Sequence, residues 1–404
     1  MSSRPLDGIR IIDLTRALAG PYCTMLFADL GAEVIKVEPP QGDMSRSQGP
    51  YRQDDELREF GGYFASINRN KRSISIDLTT SDGKELLRRL IRDADALIEN
   101  FRPGVMDQLG LAYETLREGN PRLVYGAIRG FGDPRTGKSP YVDRPAFDVV
   151  AQAMGGVMAI TGRPDGEPTK VGPGIGDIFP AVLTAFGVMA CVTDARRTGR
   201  GRFVDVAMYD AIVSLCERVI HQHAYVGAVP GREGNDHPLL APFGVFRASD
   251  GWMAIAAPLD KQWARLAEVI GRPELGTDPR LATNAARVVH RDEMRAAIEE
   301  WTSVRTRAEI TAALSDTVPA GPVNTAEALF ADPHLTVRQM LAEVEQPGSA
   351  APVTVAGQPV KVTDAPPEEF RRAPLLGEHT DEILTELGYQ REDIARLRVG
   401  RTVR

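Results

Sequence analysis

The chain of 404 residues is long enough for two or three domain-sized units with a large core. Hydrophobic residues at 43% and charged residues at 25% are globular proportions, and a formal net charge of -7 with both signs interspersed argues against a nucleic-acid surface. Three widely spaced cysteines among apolar neighbours, Cys23, Cys191 and Cys216, argue against a disulfide framework or zinc site and fit a reducing cytoplasm. The first ten residues lack the apolar core of a signal peptide. The longest apolar run, 178–192, contains Pro180 and falls short of the roughly 20 residues a spanning helix needs, so no membrane partner is expected.

Residues 8–14 (Gly-Ile-Arg-Ile-Ile-Asp-Leu) predict a short buried strand. A small-residue turn over 15–21 leads to a helix over 22–30, stopped by Gly31, and a second strand over 32–38. Strand–helix–strand at this spacing is a βαβ unit of a parallel sheet. Its turn, Ala17-Leu18-Ala19-Gly20-Pro21, lacks the glycine fingerprint of a dinucleotide site, which makes Glu38 a poor ribose acid. Residues 39–59 predict a polar loop over the sheet. Strands follow over 72–78, 96–99 and 123–128, with a helix over 81–93 and helical pieces over 106–116. This alternation predicts an α/β fold. A helix is expected over 147–154, a strand over 203–207 and a helix over 209–224. The character changes at 227–240. Two short strands, 244–246 and 252–257, flank the hairpin signal Ser249-Asp250-Gly251, and helices over 261–270, 291–302 and 307–314 complete a smaller α+β domain. Strands over 341–345 and 353–362 and a loop and helix over 373–397 end the chain.

One stretch organises the rest: Val171-Gly172-Pro173-Gly174-Ile175-Gly176-Asp177-Ile178-Phe179-Pro180. Its single acidic residue sits where a glycine-rich turn meets an apolar helical run. Asp177 reads as the N-cap of that helix. It also reads as an exposed carboxylate nucleophile in a pocket opened by Gly174 and Gly176. The two readings are compatible. His221 and His223 lie two apart on a helix and point to different faces, so no metal is expected.

Five landmarks in order make the sequence resemble the class III CoA-transferases, the family of formyl-CoA transferase, carnitine CoA-transferase and α-methylacyl-CoA racemase. They are Asp13-Leu14-Thr15-Arg16-Ala17-Leu18-Ala19-Gly20-Pro21, Asn70-Lys71-Arg72-Ser73, Glu99-Asn100-Phe101-Arg102-Pro103-Gly104, Gly176-Asp177 and Ala373-Pro374-Leu375-Leu376-Gly377-Glu378-His379-Thr380. The resemblance runs from Leu6 almost to the C-terminus and weakens over 227–302. It implies an interlocked homodimer. Each chain would have a Rossmann-like large domain (1–224 with 326–404) carrying the parallel sheet, and a smaller α+β domain (225–325) inserted on linkers.

The resemblance also implies the chemistry, with acyl-CoA and a small carboxylic acid as substrates. The family's catalytic aspartate matches Asp177. Its carboxylate attacks the donor thioester to give a mixed anhydride, and the CoA thiolate returns to give an aspartyl-CoA thioester. The acceptor carboxylate then displaces that thioester through a second anhydride. An ordinary aspartate, of pKa about 3.9, is ionised at neutral pH and needs no general base. Coenzyme A is expected along Arg16 and Ala17, Ile76, Leu78 and Thr79, and Asn100, Phe101 and Arg102. Leu18, Tyr63, Phe147, Asp148, Gly176 and His237 are expected around the acyl and acceptor groups, and Lys71 and Arg72 are candidate phosphate partners.

The departures discriminate among members. Leu18 stands where formyl-CoA transferase has glutamine, Pro39 where it has arginine and Gln48 where it has tryptophan, which argues against oxalate as acceptor. Phe147 stands where the racemases have a histidine before the residue matching Asp148, and an aromatic ring moves no proton. Arg16 suits the distal carboxylate of a dicarboxylate. The expected activity is transfer of CoA from an acyl-CoA such as succinyl-CoA to a carboxylic or dicarboxylic acid. The alternatives are 2-methylacyl-CoA epimerisation and non-catalytic acyl-CoA binding.

Overall fold

In the computed structural model, which describes residues 3–404, six parallel strands form the central sheet. They are β1 (Arg10–Asp13), β2 (Glu33–Glu38), β3 (Arg72–Ser75), β4 (Ala96–Glu99), β5 (Val124–Arg129) and β6 (Phe203–Ala207). Their order is β3-β2-β1-β4-β5-β6, that of a doubly wound sheet. Helices cover both faces of such a sheet, and every residue of its inner strands β4 and β5 is buried. Ile12, Ile35, Ile74, Leu97 and Tyr125 are buried in one cluster, each apolar side chain contributing roughly 1.5–3 kcal/mol by leaving water.

Contacts divide the chain into a larger unit, up to Val157 with Lys170–His221 and His334–Arg404, and a smaller one, Met158–Thr169 with Gln222–Pro333. The smaller unit has an antiparallel sheet of β7 (Phe243–Ala248), β8 (Gly251–Ala256) and β9 (Ala320–Pro322). Trp263, Leu266, Ile298 and Ile310 from three helices pack with Phe246 and Ile255 as its core. The Trp263 indole N–H donates to the Leu275 carbonyl at 2.9 Å, so the ring is buried without an orphaned donor.

The C-terminal landmark is structural. Its residues clamp the β3 edge of the sheet: His379 Nδ1 accepts from the Ser73 N–H and Gly377 N–H donates to Ser73 Oγ; past the landmark, Val403 bridges to Ile76. Arg72 pairs with Glu33, Glu382 and Glu386. Lys71 Nζ is buried against Asp13 (3.0 Å), the Pro21 carbonyl and Asn68. Burial lowers its ammonium to about 8 despite the Asp13 charge. Neither cation is free for a phosphate, which corrects that expectation. A polar cleft of about 390 Å³ beside this clamp is lined by Arg72, Glu345, Arg372, Glu378 and His379. Its arginines are already paired, Arg372 with Glu378 at 2.6 Å.

Two other expectations change. The segment 39–59 is not an open loop, because Asp43, Ser45 and Arg46 are buried, and Arg46 grips Glu38 through two bonds of 2.6 and 2.8 Å. Glu38 is thereby committed to the interior. The apolar run near 178–192 belongs to a 24-residue helix, Ile175–Thr198, which continues through Pro180. Among the described residues it alone is long and apolar enough to cross a membrane, with mean hydropathy 1.9. One stripe of it, Thr184, Val188 and Val192, is buried, and Val188 lies where a side chain on Gly126 of β5 would sit. It is a core helix of the sheet.

Candidate active site

The long helix begins without a side-chain cap of its own, with Gly174 at the N-cap. Asp177 is therefore not the cap but the third helical residue, in the turn where the helix dipole favours an acid. The cap comes from a different helix. Asp148 opens Asp148–Met154, and its Oδ1 accepts from the Gly176 N–H at 2.8 Å. Asp148 is saturated with donors: Gln152 Nε2 reaches both its oxygens at 2.9 and 3.0 Å, and Lys170 Nζ stands 3.4 Å from Oδ2. Gln152 is fully buried, and its Oε1 accepts from the Val171 N–H, tying the glycine-rich turn to the same helix.

Asp177 is the opposite case. Its carboxylate is partly buried, and among the described residues nothing donates to it. Burial first, and the charge of Asp148 second, raise its pKa from 3.8 to about 7, against a smaller opposing effect of Lys170. This revises the expectation of an ordinary aspartate. A helix N-terminus offers only about 0.3–1 kcal/mol to an anion. Burial and the neighbouring carboxylate therefore outweigh it, and the dipole does not blunt the nucleophile. The Tyr63 phenol, on the helix Gly62–Asn68, is raised by burial and then by the charges of Asp177, Asp43 and Asp148.

The glycines serve packing. A Cβ on Gly176 would fall 2.6 Å from the Asp148 carbonyl oxygen, and one on Gly174 would fall 2.9 Å from Leu18 Cδ2. The pocket expected to be opened by these glycines is occupied, on the side where their side chains would point, by Leu18 and Asp148. Gly176→Ala is expected to push the two helix starts apart, costing ~1–3 kcal/mol of stability and ~10- to 100-fold in turnover. Thermal unfolding and steady-state rates check both numbers.

Of the other predicted residues, Arg16 and Ala17 follow β1 and Asn100, Phe101 and Arg102 follow β4, at the point where strand order reverses, the usual ligand crevice of an open α/β sheet; Ile76, Leu78 and Thr79 follow β3 at the sheet's edge. Asn100 zips its two walls together: Oδ1 accepts from the Arg16 N–H at 2.9 Å and Nδ2 donates to the Arg16 carbonyl at 2.8 Å. The Arg16 guanidinium lies 5.3 Å from the centre of the Phe101 ring and forms no ion pair among the described residues. Phe101 and Leu78 are both partly buried on the rim of the same core cluster. Arg102 and Thr79 are exposed, and Thr79 is turned back onto Asp77. Ile76 is 1% exposed and lies in the core, so it supports the wall from behind without forming its surface. Phe147 is 68% exposed at the start of the Asp148 helix. His237 belongs to the smaller unit, where its ring meets Phe243 edge-on and its Nδ1 accepts from the Leu239 N–H.

A family model of CoA-transferase family III matches residues 6–380. The chain belongs to CoA-transferase family III. It is 49% identical over 383 residues to a succinyl-CoA:mesaconate CoA-transferase of Haloarcula marismortui, covering 95% of this chain and 96% of that one. It is 38% identical over 404 residues to a succinyl-CoA–D-citramalate CoA-transferase of Chloroflexus aurantiacus, covering 99% and 98%. A crystal structure of a CAIB/BAIF family protein from Brucella suis superposes with a TM-score of 0.83 at 38% identity, over 96% of this chain and all of that one. The chain is thus a CoA-transferase, and CoA thioesters and carboxylic acids are its substrate classes. Among the described residues no group of side chains is placed to hold a metal ion.

Sequence reasoning missed Gln152, Lys170 and the buried residues beneath the first turn. Only Gln152 left a signal, its i+4 spacing from Asp148 on one helix face.

Proposed function

We propose that this CoA-transferase moves CoA from succinyl-CoA to a second dicarboxylic acid, with Asp177 forming the anhydride and aspartyl-CoA intermediates. The observation that carries the assignment of Asp177 is its unbonded, partly buried carboxylate beside a donor-saturated Asp148. A nucleophile must be free of hydrogen bonds that it would have to break, and two carboxylates in unlike environments take unlike roles. Succinyl-CoA and a dicarboxylate are supported by the relatives of Haloarcula and Chloroflexus. The unpaired Arg16 guanidinium and the apolar Leu18 against Gly174 fit the same substrates better than oxalate. Epimerisation is not favoured, because Phe147 offers no proton carrier beside Asp148.

We also propose the interlocked homodimer, with 225–325 as a small domain on linkers. Val182 and Phe186, the latter 76% exposed, form an apolar stripe on the long helix opposite its buried face. An exposed stripe of this kind marks an interface with a partner.

The test is a donor-by-acceptor panel read by mass spectrometry of CoA esters. Succinyl-CoA with mesaconate or citramalate is expected to turn over at least ~10-fold faster than formyl-CoA with oxalate, an amount that one well-placed charged contact supplies. Preference for formyl-CoA and oxalate, or exchange of the α-hydrogen without an acceptor, overturns the proposal.

A further inference from the structure

Ala17 adopts φ 62°, a left-handed conformation that residues with a Cβ seldom take. The surroundings over-determine it. Lys36 Nζ donates to the Thr15 carbonyl at 2.8 Å, and Asp43 Oδ1 accepts from the Ala17 N–H at 3.2 Å. Lys36 and Asp43 pair with each other at 3.1 Å, and both side chains are 0% exposed. Asp43 is held in turn by the Ser45 N–H on Oδ1 and through its own N–H, which donates to Glu38. The bonds of Asn100 to Arg16 close the turn from the side.

The turn sends neighbouring residues to different places. Arg16 goes to Phe101 in the crevice between β1 and β4, and Leu18 goes to Gly174 in the loop before Asp177. A residue at φ 62° between them is what lets one short segment touch both. We propose that the buried Lys36–Asp43 pair is a positioning device for acyl-CoA: by holding Ala17 left-handed, it keeps the crevice and the nucleophile loop in register. The inference rests on the reading of that crevice as the CoA site.

Two full-length variants test it by different routes. In Ala17→Val the buried charges stay intact, but a β-branched residue resists the left-handed turn. In Lys36→Met/Asp43→Asn the lock is removed without leaving a buried unpaired charge. Each is expected to raise the KM for succinyl-CoA ~10-fold and to lower kcat by a similar factor, with the KM for the acceptor acid within ~2-fold. Adding Ala17→Gly to the double variant is expected to return the succinyl-CoA KM to within ~3-fold of wild type, because glycine holds the turn unaided. A purely structural role would lower Tm and move both KM values together. A folded Ala17→Val with unchanged succinyl-CoA KM, or equal rises in both KM values, overturns the proposal. If the double variant does not fold, the Ala17→Val comparison decides alone. Calorimetric titration with CoA separates the premises. CoA binding that is absent, or that Phe101→Ala leaves unchanged, removes the crevice reading. Phe101-dependent binding that Ala17→Val does not weaken removes only the lock.

Discussion

Replacement of Asp177 by alanine is expected to lower turnover by at least ~10⁴-fold while CoA binding stays within a few-fold of wild type, because the covalent intermediates lose their only attachment point. Asp177→Asn separates chemistry from stability. It abolishes turnover equally, since an amide neither attacks a thioester nor leaves from one. Its effect on folding depends on pH. The folded protein holds the Asp177 proton up to about 7, whereas the unfolded chain releases it near 3.8. Between those values the native state binds more protons than the unfolded state, so wild-type stability falls as pH rises through this window. A shift of this size corresponds to ~4 kcal/mol at most. Asparagine has no proton to lose. Asp177→Asn is therefore expected to match wild type near pH 4 and to exceed it by several kcal/mol at pH 8, measured by denaturant unfolding at the two pH values. Equal stability at both would show that Asp177 is not strained by burial.

Asp148→Asn is expected to move the pH dependence of the same group. Burial is the larger cause of the raised Asp177 pKa and the Asp148 charge the second. Removing that charge leaves the burial, so the acid limb of kcat/KM shifts down by ~1 pH unit and does not collapse to an ordinary aspartate. Asparagine can still accept from the Gly176 N–H but loses its charge-assisted contacts with Gln152 and Lys170, which loosens the turn that carries Asp177. A fall in kcat of ~10- to 100-fold accompanies the shift, the range of a displaced reacting group. Asp148→Ala removes the seat as well as the charge and is expected to cost more. A pH–rate profile for Asp148→Asn whose limb stays in place would show that the two carboxylates do not interact.

The strands of the central sheet were legible because each is a short stretch rich in β-branched or apolar residues between turn or helix signals; β4 and β6 appear over the predicted residues. The position of Asp177 was legible because a lone acid between glycines and an apolar run is conspicuous. Its electrostatics were not. The residues that raise its pKa, cap its helix and orient its loop lie on a separate helix and loop, and sequence spacing does not show that Asp148 reaches the Gly176 N–H. The same holds for Lys36, Glu38, Asp43 and Arg46. They read as a polar loop and the edge of a strand, because a charged residue reads as exposed until its partner is known. The glycines were singled out correctly and misread in purpose: Gly174 and Gly176 admit Leu18 and Asp148. Lys71 was misread for the same reason as Lys36: a lysine in a turn reads as free for a phosphate, and this one is buried on Asp13.

The central claim is that Asp177 carries the CoA during transfer. Incubation with succinyl-CoA in the absence of acceptor, followed by borohydride or hydroxylamine trapping and peptide mass spectrometry, tests it directly. The mechanism predicts a single modified peptide spanning the Gly174–Asp177 turn, with the mass change on Asp177, formed in wild type and absent from Asp177→Ala. A peptide that stays unmodified while the enzyme turns over, or an adduct on any other residue, would contradict it.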